Sequence, residues 1–163
     1  MVACAHMKIV VLDNLRSVYN VGSVFRTANA IGIEKIILCG TTPTPLDKKG
    51  VKRSDFAKVA LGAEDTVLWE YCEDTCEALK TLKNEGFYCI AFEQATNSVD
   101  YKTVSVVGKS DVAFVVGAEV TGIPTEVLDL CDVVAEIPML GTKESLNVTI
   151  AFGVGVYRIL DIY

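Results

Sequence analysis

The residues best suited to chemistry lie in one stretch of the sequence, residues 137–148. This stretch reads Ile-Pro-Met-Leu-Gly-Thr-Lys-Glu-Ser-Leu-Asn-Val. It predicts the apolar end of a strand, a short loop with a glycine, and small polar side chains at the start of a long apolar helix. Free backbone N–H groups at a helix N-terminus, together with Ser145 and Asn147, can hold the polar groups of a small ligand. We therefore predict a small-ligand site here.

Two further polar clusters occupy comparable positions. Residues 20–26 read Asn-Val-Gly-Ser-Val-Phe-Arg, and residues 117–124 read Gly-Ala-Glu-Val-Thr-Gly-Ile-Pro. Each stands at the C-terminal edge of a predicted strand or at the start of the next helix, where open α/β sheets bind ligands. Taken singly, each cluster also has an ordinary structural interpretation: Asn20 as a helix N-cap, Arg26 as an ion-pair partner of Glu119, and Ser145 and Asn147 as caps of the last helix.

The elements that position these clusters follow from the apolar pattern. Short, nearly continuous apolar runs are typical of strands covered on both faces, and they occur at residues 7–12, 35–39, 87–92, 112–116 and 133–137. Helical spacing occurs at residues 20–31, 73–85 and 144–161. This alternation predicts a single α/β domain over residues 1–163, with a ragged N-terminus at 1–6 and a parallel sheet sandwiched by helices.

The last predicted helix contains Gly153 and Gly155. A glycine inside a helix costs about 1 kcal/mol relative to alanine, so we expect something to pack unusually close to this backbone. Packing within the chain and a subunit interface are both compatible with the pattern.

Composition limits the classes of protein. The 163 residues are 51% apolar, enough for a sizeable core, and no run reaches the ~20 apolar residues of a membrane span. No secretory signal is visible, and the six cysteines sit mostly in apolar runs, so we expect a cytoplasmic protein with reduced thiols. A net charge of −6 argues against a protein that coats nucleic acid, so any RNA partner must be held locally.

The sequence lacks the residues that several kinds of catalysis and cofactor binding require. The only histidine is His6, which disfavours Ser-His-Asp and Cys-His catalysis. No phosphate-binding loop of the Walker type occurs, and Gly153 and Gly155 lack the third glycine of a dinucleotide motif. Cys72 and Cys76 lie four residues apart but have no further ligands at metal-binding spacing, so no metal is expected.

In their order and internal spacing, the three clusters resemble the motifs of the SpoU/TrmH branch of the SPOUT superfamily, which are S-adenosylmethionine-dependent RNA ribose 2'-O-methyltransferases. The first motif, Asn followed by Arg after five residues, matches Asn20 and Arg26. The second, Gly-x-Glu-x-x-Gly, begins at Gly117, and the third, Ser-Leu-Asn-Val after Ile-Pro-Met-x-Gly, lies at residues 145–148. The likeness covers nearly the whole chain.

The resemblance implies a more specific fold and assembly. It implies that the C-terminal segment is threaded through a loop as a deep trefoil knot, which no spacing argument would suggest because threaded chains are very rare. It also implies a homodimer formed through helices near the knot, with which Gly153 and Gly155 are compatible. Dimerisation would complete the active site.

The resemblance further implies a binding slot for S-adenosylmethionine. An adenine ring and a sulfonium need an apolar slot with a few backbone hydrogen-bonding groups. The residues implied for this slot and its wall are Gly117, Ile137, Leu146, Met139, Leu140 and Gly141. Phe92, Glu93 and Gln94, at another strand end, are candidates for the same wall.

For catalysis, the resemblance points to Arg26 reaching in from the partner subunit. Either its guanidinium takes the proton of the ribose 2'-hydroxyl, or it clamps a substrate phosphate and aligns the oxygen with the methyl group; a free pKa above about 12 makes the first role difficult, and both remain open. The side chains implied to hold the guanidinium and the ribose are Asn20, Glu119, Ser145 and Asn147.

RNA would be gripped through its phosphates. The densest basic stretch follows the proline-rich loop at residues 41–49 and contains Lys48, Lys49, Lys52, Arg53 and Lys58. A solvated surface without a partner is the ordinary alternative.

Two other functions are compatible with parts of the sequence. One is a non-catalytic RNA-binding or cofactor-sensing dimer with the same fold, although the complete set of motif residues argues against it. The other is a nucleotide-binding module of the flavodoxin type, for which residues 13–17 after the first strand are a poor phosphate loop. The sequence does not distinguish transfer RNA from ribosomal RNA as substrate.

Overall fold

The computed structural model describes residues 7–162, so the predictions about the segment 1–6, including His6, lie outside it. The strands are β1 (Met7–Asp13), β2 (Lys35–Cys39), β3 (Leu68–Cys72), β4 (Tyr88–Phe92), β5 (Val99–Asp100), β6 (Asp111–Val116) and β7 (Val133–Glu136). The helices are α1 (Val18–Ala30), α2 (Ser54–Ala60), α3 (Thr75–Asn84), α4 (Thr125–Leu128) and α5 (Val148–Ile159).

The seven strands form one sheet in the order β3-β2-β1-β6-β4-β7-β5, and every neighbouring pair is parallel. The prediction of a parallel α/β sheet is confirmed, and all five predicted strands are present. The sequence pattern missed β3 because this edge strand leaves Leu68 and Tyr71 exposed around the charged Glu70, so it lacks a continuous apolar run. It missed β5 because that strand has only two residues.

Helices cover both faces of the sheet, as predicted. Alternate residues of β1 point to opposite sides, because side chains in a strand have a period of two. Val10 and Leu12 pack in a cluster with the buried faces of α1, α2 and α5, whereas Ile9 and Val11 pack in a second cluster with α3 and α4. The sheet is thereby buried on both sides, which is why its central strands read as continuous apolar runs.

The first helix begins earlier than predicted. Ser17 is its N-cap, and the Ser17 Oγ accepts a hydrogen bond from the backbone N–H of Asn20 at 3.2 Å. The interpretation of Asn20 as the N-cap is therefore wrong. Because Ser17 satisfies the helix end, the Asn20 side chain is available for other contacts.

The last helix is shorter than predicted, since it begins at Val148 instead of residue 144. Asn147 caps it by accepting a hydrogen bond from the backbone N–H of Thr149 at 2.9 Å. The preceding residues form an irregular segment that leaves β7 and reaches this cap.

The two glycines of α5 behave differently. A Cβ on Gly155 would lie 2.2 Å from Cε1 of Phe92, so this position requires glycine for the close approach of an aromatic ring. A Cβ on Gly153 would meet only Thr27 Cγ2, at 3.8 Å, which is an ordinary contact. Within the chain, the expectation of unusually close packing holds for Gly155 and fails for Gly153.

Candidate active site

The C-terminal ends of β4, β6 and β7 border a cavity of about 810 Å³. Its lining comes from residues that follow these strands, at 92–96, 116–123 and 135–137, and from the segment that enters α5, at 144–148. This is the edge at which parallel sheets bind ligands, and the volume suits a ligand of nucleoside size. We call it the strand-end cavity.

The strand-end cavity collects most of the residues predicted to hold a cofactor. Its lining includes Phe92, Gly117, Ile137, Met139 and Leu146. Leu140 and Gly141 do not line it. Leu140 is 99% exposed, and no atom lies within 4 Å of a Cβ built on Gly141, so these two residues form an open loop tip instead of a wall.

Three predicted catalytic side chains form a hydrogen-bonded network at this cavity. The Asn20 amide donates to the Glu119 carboxylate at 2.7 Å, and the Asn147 amide donates to the Asn20 side-chain oxygen at 3.4 Å. Glu119 and Asn147 line the cavity, as does Ser145. The three sequence clusters, which are far apart along the chain, therefore meet in one place.

Asn147 caps α5, as one interpretation of the sequence predicted, and it also contacts Asn20. Its side-chain oxygen accepts hydrogen bonds from the Thr149 backbone N–H and hydroxyl, at 2.9 and 2.6 Å. The same cap orients the amide nitrogen toward Asn20. Helix capping and site geometry thus depend on one side chain.

The charged residues that line the strand-end cavity are all acidic. Four carboxylate residues line it, Glu93, Glu119, Glu136 and Glu144, and none of its lining residues is a lysine, arginine or histidine. Of these, the sequence suggested Glu93 as part of the cofactor wall and Glu119 as a catalytic residue, and it assigned no role to Glu136 or Glu144. Glu136 is the last residue of β7 and Glu144 directly precedes Ser145, positions that could have indicated them. An uncompensated set of carboxylates favours a ligand that carries positive charge.

Arg26 does not line the strand-end cavity of its own chain. It borders a second surface cavity of about 460 Å³, which is lined by α1, by the C-terminal end of α2 with Lys58, and by Tyr157 of α5. Residues six apart on a helix point about 120° from each other, which explains why Asn20 and Arg26 leave α1 in different directions. The ordinary interpretation of Arg26 as an ion-pair partner of Glu119 is also wrong, since the ion pairs within residues 7–162 do not include this one.

The five basic residues proposed for RNA are not one cluster. Lys48 and Lys49 are exposed at the tip of a turn that Asp47 closes by accepting the backbone N–H groups of Lys49 and Val51, at 2.8 and 2.9 Å. Lys58 lies apart from this turn, beside Arg26 in the second cavity.

The remaining two basic residues of that set form ion pairs. Lys52 contacts Asp65 at 2.5 Å, and Arg53 contacts Asp55 at 2.9 Å. These hydrogen bonds raise the pKa of Lys52 and Arg53 and lower that of Asp55. Among the described residues, ion pairs therefore involve Lys52 and Arg53 but not Lys48, Lys49 or Lys58.

Within residues 7–162, no group of three or more His, Cys, Asp or Glu side chains is arranged to hold a metal ion. No helix in the same range has the length and apolar character needed to cross a membrane. The five cysteines that the structure describes are unpaired: Cys39, Cys72, Cys76, Cys89 and Cys131.

Known proteins are similar to this chain in sequence and in fold. The chain is 29% identical over 153 residues to a protein of Staphylococcus aureus (strain COL) provisionally named a TrmH family tRNA/rRNA methyltransferase, covering 94% of this chain and 58% of that protein. It superposes with a TM-score of 0.85 on the AdoMet-bound rRNA methyltransferase from Sinorhizobium meliloti, at 27% identity, covering 95% of this chain and 56% of the other.

A third relative has nearly the same length. This structure, described in connection with 2-OH methylation of C/U34 on tRNA, has a TM-score of 0.77 and 27% identity, and the match covers 94% of each chain. By contrast, the chain spans little more than half the length of the Staphylococcus and Sinorhizobium proteins. Residues 7–157 match the SpoU rRNA Methylase family, and the chain therefore belongs to that family.

Proposed function

We propose that this protein transfers a methyl group from S-adenosylmethionine to a ribose 2'-hydroxyl of tRNA or rRNA. The observation that carries the proposal is the Asn20–Glu119–Asn147 network at the strand-end cavity. It joins the three sequence motifs at a site large enough for the donor. Membership of the SpoU family and the AdoMet-bound Sinorhizobium relative support the same reaction.

The residues of the strand-end cavity fit the methyl donor. Phe92, Ile137 and Leu146 offer apolar surface for an adenine ring, and Gly117 brings backbone groups close without a side chain. The four carboxylates suit a ligand with a sulfonium and an ammonium group. When bound, S-adenosylmethionine supplies an electrophilic methyl group.

The protein's part in the reaction is to align the ribose and to remove a proton. Transfer of the methyl group to the 2'-oxygen would release S-adenosylhomocysteine, and the hydroxyl proton would pass to Arg26 or to water. Asn20, Glu119 and Asn147 offer donors and acceptors that fix the ribose at the cavity mouth. Arg26 serves either as the base or as a phosphate clamp that orients the oxygen.

Arg26 can serve this site only if a second copy supplies it, so we propose a homodimer. The outer face of α5 exposes Ile150, Val154 and Tyr157, and α1 exposes Tyr19 beside them. Arg26 and Lys58 border the same outer surface, which carries the charge that the carboxylate-lined cavity lacks. Pairing through α1 and α5 would bury the apolar side chains and bring opposite charges together.

Subunit complementation tests this arrangement. Arg26→Ala and Asn147→Ala should each abolish methyl transfer as pure proteins, because each removes a group from every site. Mixed and allowed to exchange subunits, they should recover about one quarter of the wild-type rate, since half of the dimers are mixed and each has one intact site. No recovery in a mixture shown to contain mixed dimers would contradict the shared site.

The reaction itself is tested with labelled S-adenosylmethionine and separate pools of tRNA and rRNA. Ribose methylation is located by digesting the RNA and analysing the nucleosides by mass spectrometry. Label on the 2'-oxygen of either pool supports the proposal and identifies the substrate class. Donor binding without transfer to any pool would instead favour the non-catalytic, cofactor-sensing dimer.

We further propose the trefoil knot and a cytoplasmic location. The knot is supported by the strand order, in which β7 inserts between β4 and β5, and by the return of α5 over the sheet to pack with α1. Joining the two termini by a linker and then unfolding the protein tests it, because a closed knotted chain stays compact in denaturant. The location is tested by fractionating cells that express the tagged chain.

A further inference from the structure

The residues that follow β4 lie between the two loops of the strand-end cavity. β4 pairs with β6 on one side and β7 on the other, so its C-terminal end is flanked by the 117–123 loop and by the segment that runs from β7 to α5. The backbone N–H of Glu93 donates to the Ala135 carbonyl at 3.1 Å, which extends the pairing with β7 by one residue. Glu93 and Gln94 therefore line the strand-end cavity between these two loops.

The Glu93 carboxylate holds the 117–123 loop. Its Oε2 accepts the backbone N–H of Ile123 at 2.9 Å, and its Oε1 accepts the backbone N–H of Gln94 at 2.8 Å. The two carboxylate oxygens thus accept hydrogen bonds from two different backbone N–H groups. Hydrogen bonds to an ionised acceptor are stronger than neutral ones, so this contact anchors the loop firmly.

The loop is shaped to receive this carboxylate. Gly122 has a φ of +68°, and a Cβ built on it would lie 2.6 Å from Glu93 Oε2. A side chain at this position would collide with the carboxylate as well as strain the backbone. The loop also closes on itself, because the Gly122 N–H donates to the Ala118 carbonyl at 2.9 Å.

Gln94 holds the second loop. Its side-chain Nε2 donates to the backbone carbonyl of Glu144 at 2.8 Å, directly before Ser145. Adjacent residues therefore anchor the two loops, one of which bears Glu119 and the other Asn147. At the opposite end of these loops, Asn20 contacts both of these side chains.

We propose that Glu93 and Gln94 form a clasp that sets the spacing of the two loops and so preorganises the methyl-donor site. Neither residue needs to touch the reacting atoms, so both are positioning residues. With Asn20 they close a ring of contacts around the cavity. The inference rests on the proposed function for the identity of the ligand, but not for the existence of the clasp.

The first test measures backbone hydrogen exchange in the donor-free protein. Glu93→Ala should raise exchange in residues 117–123, and Glu93→Gln should do so less, because an amide retains one of the two acceptor oxygens. Gln94→Ala should raise exchange mainly in residues 144–147. The matched controls are Glu85→Gln and Asn97→Ala, which remove a carboxylate and an amide from exposed positions outside the cavity lining.

The second test separates positioning from general stability. Glu93→Ala and Gln94→Ala should each weaken S-adenosylmethionine binding by about tenfold, measured by calorimetry, since each leaves a loop without its anchor. The melting temperature should change by no more than about 3 °C, and exchange in the central strands should stay at the wild-type level. Faster exchange throughout the sheet would show a merely structural role.

The outcomes distinguish the clasp from the proposed function. If wild-type protein does not bind S-adenosylmethionine, the proposed function is wrong, and loop exchange still decides whether the clasp exists. If wild-type protein binds the donor, but the variants bind it equally well or keep wild-type exchange in both loops, the clasp is overturned.

Discussion

The Asn20 amide donates a 2.7 Å hydrogen bond to the Glu119 carboxylate across 99 positions of sequence. This contact places the opening turn of α1 on the loop that follows β6. It also brings a neutral donor, instead of a cation, to a carboxylate of the strand-end cavity. Among the described residues, Glu119 is therefore paired with an amide and forms no ion pair.

Replacing Asn20 by aspartate should disrupt this contact in a pH-dependent way. Two carboxyl groups at hydrogen-bond distance repel when both are ionised, which raises the pKa of one of them. We expect Asn20→Asp to lose at least about tenfold in methyl transfer near pH 8 and to recover part of it near pH 6, where the pair can share a proton. The measurement is kcat/KM against pH, and Asn97→Asp controls for the added charge. A flat ratio to wild type across this range would contradict the role of Asn20.

Arg26→Ala should separate turnover from donor binding. Arg26 borders the outer cavity and not the strand-end cavity of its own chain. We expect methyl transfer to fall by at least about a hundredfold while S-adenosylmethionine affinity stays within about twofold. Single-turnover rates and calorimetry measure the two quantities, and Lys80→Ala on α3 serves as a control. Retained turnover would remove Arg26 from the mechanism.

Charge removal at the turn tip should weaken RNA binding. Within residues 7–162, Lys48 and Lys49 form no ion pair, unlike Lys52 and Arg53. We therefore expect the Lys48→Gln, Lys49→Gln double variant to lower the slope of log affinity against log salt by about 1 for each lost phosphate contact. Binding is measured by filter retention across a salt series.

The paired basic residues are the comparison for this experiment. The sequence predicts that charge reversal at Lys52 and Arg53 also weakens RNA binding. Their pairs are exposed and individually weak, so either side chain can exchange its carboxylate for a phosphate. An unchanged salt slope in both double variants would place the RNA elsewhere.

Gly155→Ala should force the Phe92 ring out of its position. The added methyl group would overlap that ring, which stacks on Phe114 with centroids 6.0 Å apart. We expect a loss of about 1–3 kcal/mol in the free energy of unfolding, measured with urea. Phe92→Leu in the same chain should restore part of this loss, and strict additivity of the two changes would contradict the contact.

Three buried or partly buried thiols should make the fold sensitive to alkaline pH. Burial raises the pKa of Cys39 and Cys131 to about 12 and that of Cys89 to about 11, from an ordinary value of 9.0. The unfolded chain therefore loses these protons first, so stability is complete below pH 9.0 and falls as the pH rises toward about 11. Urea unfolding at several pH values measures this, and Cys39→Ala should reduce the decline. A stability that is constant through this range would contradict it.

The sequence predicted the central part of the fold and the meeting of its motifs. Fully buried strands give continuous apolar runs. The pattern of apolar residues along the sequence therefore predicted β1, β2, β4, β6 and β7. The edge strand β3 was not, because Leu68 and Tyr71 remain in solvent and no periodicity marks it. The resemblance placed Asn20, Glu119 and Asn147 in one site, a relation between distant residues that no local pattern reveals.

Loop geometry was the part that sequence reasoning could not supply. Leu140 and Gly141 follow the expected motif, but the chain turns outward there and leaves both in solvent. The sequence suggested Glu93 only as part of the cofactor wall, because a glutamate after a strand does not by itself indicate a contact with a distant loop. Its task depends on the approach of Gly122, which is visible only in three dimensions.

Asn20 and Arg26 leave α1 in different directions, so in the proposed dimer the two side chains of one helix would act in different active sites. Helix α1 would then contribute residues to two active sites: Asn20 in its first turn to the site of its own chain, and Arg26 in its middle to the site of the partner. A small tilt of that helix would disturb both sites at once. A change in this helix would therefore affect both active sites of the dimer, and dilution below the dissociation constant of the dimer would inactivate both together.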